Sequence, residues 1–213
     1  MRISKEKAAE NRAALIRAAS KLFRERGIDG VGVAEISKEA GLTHGALYAH
    51  FRSKEELALE ALSYGLDQSA SRMYSSTING MPDLGSYLDD YLTADALHDY
   101  ASRCPMSASA SEIGRQDKAI SARFAEGYMV MVRAFERQIA DNEPGSDALA
   151  RAMVVVATMI GSIAVARGAA KGNPQVAEQV LKAARTMIDE LMLAQPHPPA
   201  APGHEAGRAP RPS

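Results

Sequence analysis

Tryptophan is absent from this 213-residue chain, and aromatic residues together make up 5% of it. Strands draw on aromatic and β-branched side chains to fill a pleated surface, whereas Ala, Leu and Met suit helices. The shortage argues against a β-sandwich or barrel and for helices packed on helices. Cysteine is almost missing too, since Cys104 stands alone. An intrachain disulfide is thereby excluded, and a reducing, cytoplasmic setting is the expectation. Metal-ligand spacings such as His-Glu-x-x-His do not occur, and no catalytic signature flanks Cys104 or any of the 5 histidines. An enzyme, a metal and a cofactor are therefore not expected. Long hydrophobic runs are lacking as well. The longest uncharged stretch, "AMVVVATMIGSIAVA", covers 15 residues between Arg151 and Arg167. A bilayer span needs roughly 20, so a buried helix is expected there and no membrane partner. The opening "MRISKEKAAENRAALIRAAS" carries charges every few residues and does not resemble a signal peptide.

What is present is an ordinary globular mixture, 46% hydrophobic and 24% charged, long enough for one or two domains. Its net charge of -1 hides an asymmetry. Residues 1–54 hold 11 Lys and Arg against 6 Asp and Glu, a surplus of five positive charges; the remainder holds 14 against 20. A basic N-terminal unit on an acidic body points to a polyanion met at one end only.

Periodicity predicts a first helix over about Lys5 to Arg26, with Leu15, Ala18, Ala19, Leu22 and Phe23 on one stripe and a stop at Gly27. A short second helix spans Val33 to Ala40, with Val33, Ile36 and Ala40 inward and Gly41 as its left-handed stop. Thr43 is placed to cap a third helix ending near Phe51. "SKEE" at 53–56 reads as a capping box opening a fourth helix that runs towards Thr77. "NGMP" at 79–82 breaks the chain, and helical pattern resumes over 84–101. "RCP" at 103–105 interrupts again, and Asp117 caps a long helix. Two more helices follow, over 147–170 and from Asn173-Pro174, the last with Val176, Val180, Ala184, Met187 and Leu191 on one stripe. From Pro196 onward the composition predicts a disordered Pro-rich tail. No strand pattern and no internal repeat is evident.

The second and third helices are joined by "AGLT", the spacing of a DNA-binding helix-turn-helix. A helical wheel places Leu47 and Phe51 on one face, with His44, Gly45 and Tyr48 opposite and His50 on a flank. An apolar back and a thin polar front are what a helix entering the major groove requires. Gly45 and Ala49 keep that front low. Thr43, Tyr48 and His50 are suited to donate to phosphates, and Lys54 adds a charge.

Residues 12–58, "RAALIRAASKLFRERGIDGVGVAEISKEAGLTHGALYAHFRSKEELA", resemble the N-terminal domain of the TetR family of transcriptional repressors, most specifically in "LYAHFRSKEEL". The resemblance implies an all-α homodimer of about nine helices. A three-helix DNA-binding domain (1–53) would precede a helical ligand-binding and dimerisation domain (54–195) and the tail (196–213). It implies a palindromic double-stranded operator and an unidentified small-molecule inducer. It places Thr43, His44, Gly45 and Tyr48 at the groove, and Tyr48, His50 and Lys54 at the phosphates. Gly32 departs from the Ser or Thr common in the family at the start of the second helix, so a phosphate contact there would rest on backbone N–H groups alone.

The resemblance further implies dimerisation through the last two helices, about 147–194. For a ligand pocket, Tyr91, Tyr100, Met106, Phe124, Tyr128 and Met131 offer an adaptable apolar lining, with Glu112 and Arg115 as charged anchors. "RCPMSASASEIGRQ" resembles a subgroup in which a cysteine opens the sixth helix. Cys104 is thus both a pocket candidate and, in an alternative reading, the sensor of an electrophile or oxidant.

Overall fold

The computed structural model describes residues 4–78, 80–144 and 147–193. The expected tail lies outside the described residues. Nine α-helices occur among them, in the order α1 (Lys5–Arg26), α2 (Val33–Glu39), α3 (His44–Tyr48), α4 (Lys54–Met73), α5 (Leu84–Tyr91), α6 (Pro105–Ile113), α7 (Lys118–Asn142), α8 (Ala148–Ala170) and α9 (Pro174–Leu193). The all-α architecture holds.

Most helix starts follow from side-chain caps. Ser4, Ser53, Asp83, Asp117 and Asp147 each accept an N–H from the first turn of the helix they open. Thr43 occupies the N-cap position of α3, but its hydroxyl makes no capping bond, contrary to expectation. The stop at Gly27 is as read: its φ is 78° and its N–H returns to Phe23 O at 2.9 Å. Gly41, at φ 68°, ends the α2 segment.

Three boundaries differ. α4 ends at Met73, because Thr77–Ile78 (β1) pairs antiparallel with Met81–Pro82 (β2), Ile78 opposite Met81. The Asn-Gly dipeptide between them is a hairpin signal that a reading of "NGMP" as a simple break overlooks. α5 stops at Tyr91, where Thr93 donates to Asp90 O and accepts from Ala96 N–H, both at 3.3 Å, and a 3-10 turn forms at Asp95–Leu97. Local hydroxyl bonds of this kind compete with the helix ladder. α3 closes at Tyr48, although Phe51 N–H still reaches Leu47 O at 2.9 Å.

α8 is long and apolar enough to cross a bilayer by length and composition, and here it packs between α7 and α9. Arg151 ties three helix ends together: Nε and Nη2 donate to Leu191 O at 2.8 and 2.6 Å, and Nη1 pairs with Glu143 at 2.5 Å. On α9 the buried stripe is Ala177, Leu181, Ala184, Ile188 and Met192, one residue round from most of the expected one. Val176 and Met187 face outward instead. The helix is apolar over a wider arc than one neighbour covers.

The N-terminal helices meet the rest of the chain through α4 and through α6. Glu112, near the end of α6, accepts the N–H of Asp29 at 3.0 Å, and Arg24 of α1 donates to Arg103 O at 3.0 Å. Gly27 makes this latch possible. A Cβ there would sit 3.1 Å from a Glu112 carboxylate oxygen. Its φ of 78° with ψ of 160° also lies in a region nearly exclusive to glycine. Gly27→Ala is expected to cost about 1–3 kcal/mol, read as a lower midpoint in chemical denaturation; an unchanged midpoint would contradict the packing described.

Candidate nucleic-acid interface

α3 has five residues, too few for a helix to persist alone in water. It is held by its back. Leu47 is fully buried and Phe51, just past its end, is 1% exposed. Arg12 of α1 lies over the Phe51 ring at 4.9 Å and pairs with Glu60 of α4 at 2.9 Å, so α1, α4 and the end of α3 are fastened at one point.

The front is open. Tyr48 is 55% exposed, and Thr43, His44 and Gly45 are also exposed. His44 and Tyr48 meet edge to face, centroids 5.6 Å apart at 72°. A Cβ on Gly45 would meet nothing within 4 Å, so the fold itself has no need of glycine there. A low point on an exposed helix suits close approach of another surface. His50 is half-buried on the flank, and Lys54 lies in the first turn of α4. That turn is fixed by Ser53 Oγ, which accepts Glu56 N–H at 3.2 Å, and by the Glu56 carboxylate, which accepts Arg52 N–H at 2.7 Å. The capping box therefore closes one residue further back than its sequence pattern suggests.

Charge is distributed to match. Glu10, Glu35 and Glu39 are paired with Lys7, Arg26 and Lys21. The Gly32 N–H, then Arg26, holds the Glu35 carboxyl below its ordinary range, and Lys21 does the same for Glu39. Among the described residues of this unit, Lys5, Arg17, Arg24, Lys38, Arg52 and Lys54 have no carboxylate partner within ion-pair distance. Lys38 and Arg52 were not singled out from sequence; exposed cations flanking the motif were the available signal. The Gly32 N–H itself is not open to a phosphate, because it donates to Glu35 Oε2 at 2.9 Å.

The family model for bacterial regulatory proteins of the tetR family matches residues 15–61. The helix-turn-helix segment is thus similar to that of the tetR family. Over 57 residues the chain is 46% identical to the HTH-type transcriptional regulator TtgR of Pseudomonas putida, 27% of either chain. It is 44% identical over 57 residues to the HTH-type transcriptional repressor BepR of Brucella suis, again 27% of either chain. The match thus spans about a quarter of the length of these curated relatives. The fold likeness extends further. E. coli NemR in its reduced form matches with TM-score 0.68 at 19% identity, over 83% of this chain and 95% of that one. A TetR transcriptional regulator from Chloroflexus aurantiacus matches with TM-score 0.69 at 23% identity, over 87% and 97%.

The candidate pocket residues do not gather into one cavity. Tyr91 and Cys104 are buried side by side, and Tyr100 is half-buried over the guanidinium of Arg167. Met106 and Met131 share a void of about 30 Å³ between α4, α6 and α7. Phe124 packs part-buried on the core, while the Tyr128 hydroxyl donates to Met153 O at 2.6 Å. Glu112 turns away from all of them to the Asp29 loop, and Arg115 donates to Ser111 O at the surface. Sequence reading missed Arg167, Tyr87 and Ser107. Arg167 had a visible signal: a cation at the end of the buried α8 stripe of Ile160, Ile163 and Ala166.

Gly45→Ala separates folding from recognition. Alanine is expected to leave the thermal midpoint unchanged or raised, since helix propensity favours it by up to about 1 kcal/mol, while weakening DNA binding in a gel-shift titration. Undiminished affinity would count against a close approach at this position.

Proposed function

We propose that this chain is a DNA-binding transcriptional regulator that acts as a homodimer on a palindromic operator and represses until a small molecule releases it. The observation that carries the reading is the shallow exposed face of α3 (Thr43, His44, Gly45, Tyr48) set on a buried back. Tyr48, His50 and Lys54 take the flanking phosphates. Repression is the sign borne by the relative BepR's name. We assign residues 1–53 to DNA and 54–195 to ligand and dimer contacts, in a cytoplasmic setting.

Support for a dimer comes from exposed apolar side chains on α8 and α9. Val154, Val165 and Met187 are 51%, 59% and 50% exposed, beside small residues such as Gly161 and Ala164 that permit close helix packing. Two copies joined there hold two α3 helices, and a palindrome needs them about 34–36 Å apart. A ligand that favours a different spacing lowers DNA affinity, and DNA lowers ligand affinity by the same factor. Cys104 is 4% exposed, which argues against direct attack on it by an electrophile from solvent.

Selection from a random DNA pool should return a two-fold symmetric site, with affinity falling steeply as salt rises. Tyr48→Ala should weaken that site tenfold or more, about 1.4 kcal/mol, with the dimer intact in sedimentation. Recovery of unrelated sequences would overturn the operator reading. Val165→Glu combined with Met187→Glu is expected to yield a monomer that no longer binds the site tightly; a persistent dimer would place the interface elsewhere.

A further inference from the structure

Arg167 is 9% exposed, near the end of α8. Its Nε and Nη2 both donate to Ala96 O, at 3.2 and 2.8 Å, and Nη1 reaches Ser107 Oγ only at 3.4 Å. The Tyr100 ring covers it at 4.1 Å from the centroid. Among the described residues no carboxylate forms an ion pair with it. A guanidinium carries five N–H donors, so two remain without a protein partner. A carbonyl dipole and a ring face do not cancel a full charge, and an uncompensated buried ion is costly. Burial accordingly lowers the Arg167 pKa from its ordinary value.

Beside it lie groups with the same deficit. The hydroxyls of Tyr87 and Tyr91 are buried and make no well-formed hydrogen bond, with Ser69 near the first and Ser107 and Cys104 near the second. Their rings are 5.8 Å apart, and Tyr91 lies beside Cys104 and within electrostatic range of Arg167. Burial, and after it Cys104, raises both phenols above their ordinary pKa, so they remain neutral donors. Ser107 donates to Cys104 O at 2.9 Å, which leaves its lone pairs towards Arg167. The core around them is apolar, with Leu88, Leu97, Met106 and Ile163 all buried. A buried cation with no carboxylate partner, near a buried neutral phenol in an apolar shell, is suited to one small anion.

We propose that this cluster is the sensor site and that its ligand is a small organic monocarboxylate, bound by the guanidinium of Arg167 and the hydroxyl of Tyr91. The proposal rests on the reading of the C-terminal helices as a ligand-responsive unit. One charge matches one guanidinium, whereas a phosphate dianion would leave a charge uncompensated in the core. The Tyr100 ring over Arg167 is half-buried and lies outside any helix, so entry of the carboxylate under this proposal requires that ring to move aside. The site also adjoins the signal path. α6 carries Cys104 and Ser107 at its start and Glu112, on the Asp29 loop, near its end.

Calorimetry on the full chain at constant ionic strength tests this with benzoate, salicylate and octanoate, each against its own carboxamide. At least one acid should bind tenfold or more tighter than its amide, the ratio expected of a charge-assisted bond worth about 1.5–3 kcal/mol. Arg167→Gln should abolish the difference and Tyr91→Phe should weaken the acid severalfold. If Arg167→Gln fails to fold, the acid–amide ratio of the unaltered chain and Tyr91→Phe decide. Equal binding of acid and amide in every pair, or no binding by any acid, overturns the proposal. Operator affinity is measured in parallel. An acid that binds through Arg167 without changing it upholds the site and overturns the sensor role. Release of DNA by a neutral compound, with no acid binding, upholds a sensor and overturns this ligand class.

Discussion

The contact on which the rest depends is the burial of Leu47 and Phe51 beneath a five-residue helix. Alone, such a helix would melt, because nucleation costs more than one turn returns. Tertiary packing supplies the order, and the anchors are doubled by Arg12, which stacks on Phe51 and pairs with Glu60. With its back fixed, the helix can leave its front almost bare: an exposed tyrosine and histidine, a glycine no neighbour requires, and cations without carboxylates. A protein surface that keeps exposed polar groups unpaired on a rigid support is poised to bind something that pairs them.

The same economy governs the link between the two ends of the chain. α4 is continuous with the turn after α3, and its first turn is pinned by Ser53 and Glu56. α6 offers a second connection that bypasses α4, through Glu112 to the Asp29 loop and Arg24 to the carbonyl of Arg103. Gly27 lets the carboxylate approach. α6 and the residue before its start are thus tied directly to the end of α1 and to the loop between α1 and α2.

Much of the fold is legible in sequence because its signals are local. Gly27 and Gly41 end their helices by left-sided φ, Asp117 and Ser53 cap theirs, and the stripe of α1 is buried where its period places it. The hairpin at Thr77 was hidden because two-residue strands have no period, only an Asn-Gly turn. The α9 stripe was misplaced because a helix with two apolar faces does not declare which one its own chain covers. The back and front of α3 were readable for the same local reason. The buried polar cluster was not. Tyr87, Tyr91, Ser107 and Arg167 come from three helices and meet only in the folded chain, and neither a spacing nor a motif joins them.

The central claim is that the front of α3 enters the major groove at two points. Dimethyl sulfate methylates guanine at N7, which faces that groove, and so probes it directly. On a selected binding site, the bound protein should protect guanine N7 in two clusters whose centres lie about 10–10.5 base pairs apart or a multiple of it. Full N7 reactivity throughout the bound site would contradict the account, since it would mean that the protein holds the DNA without placing α3 in the groove.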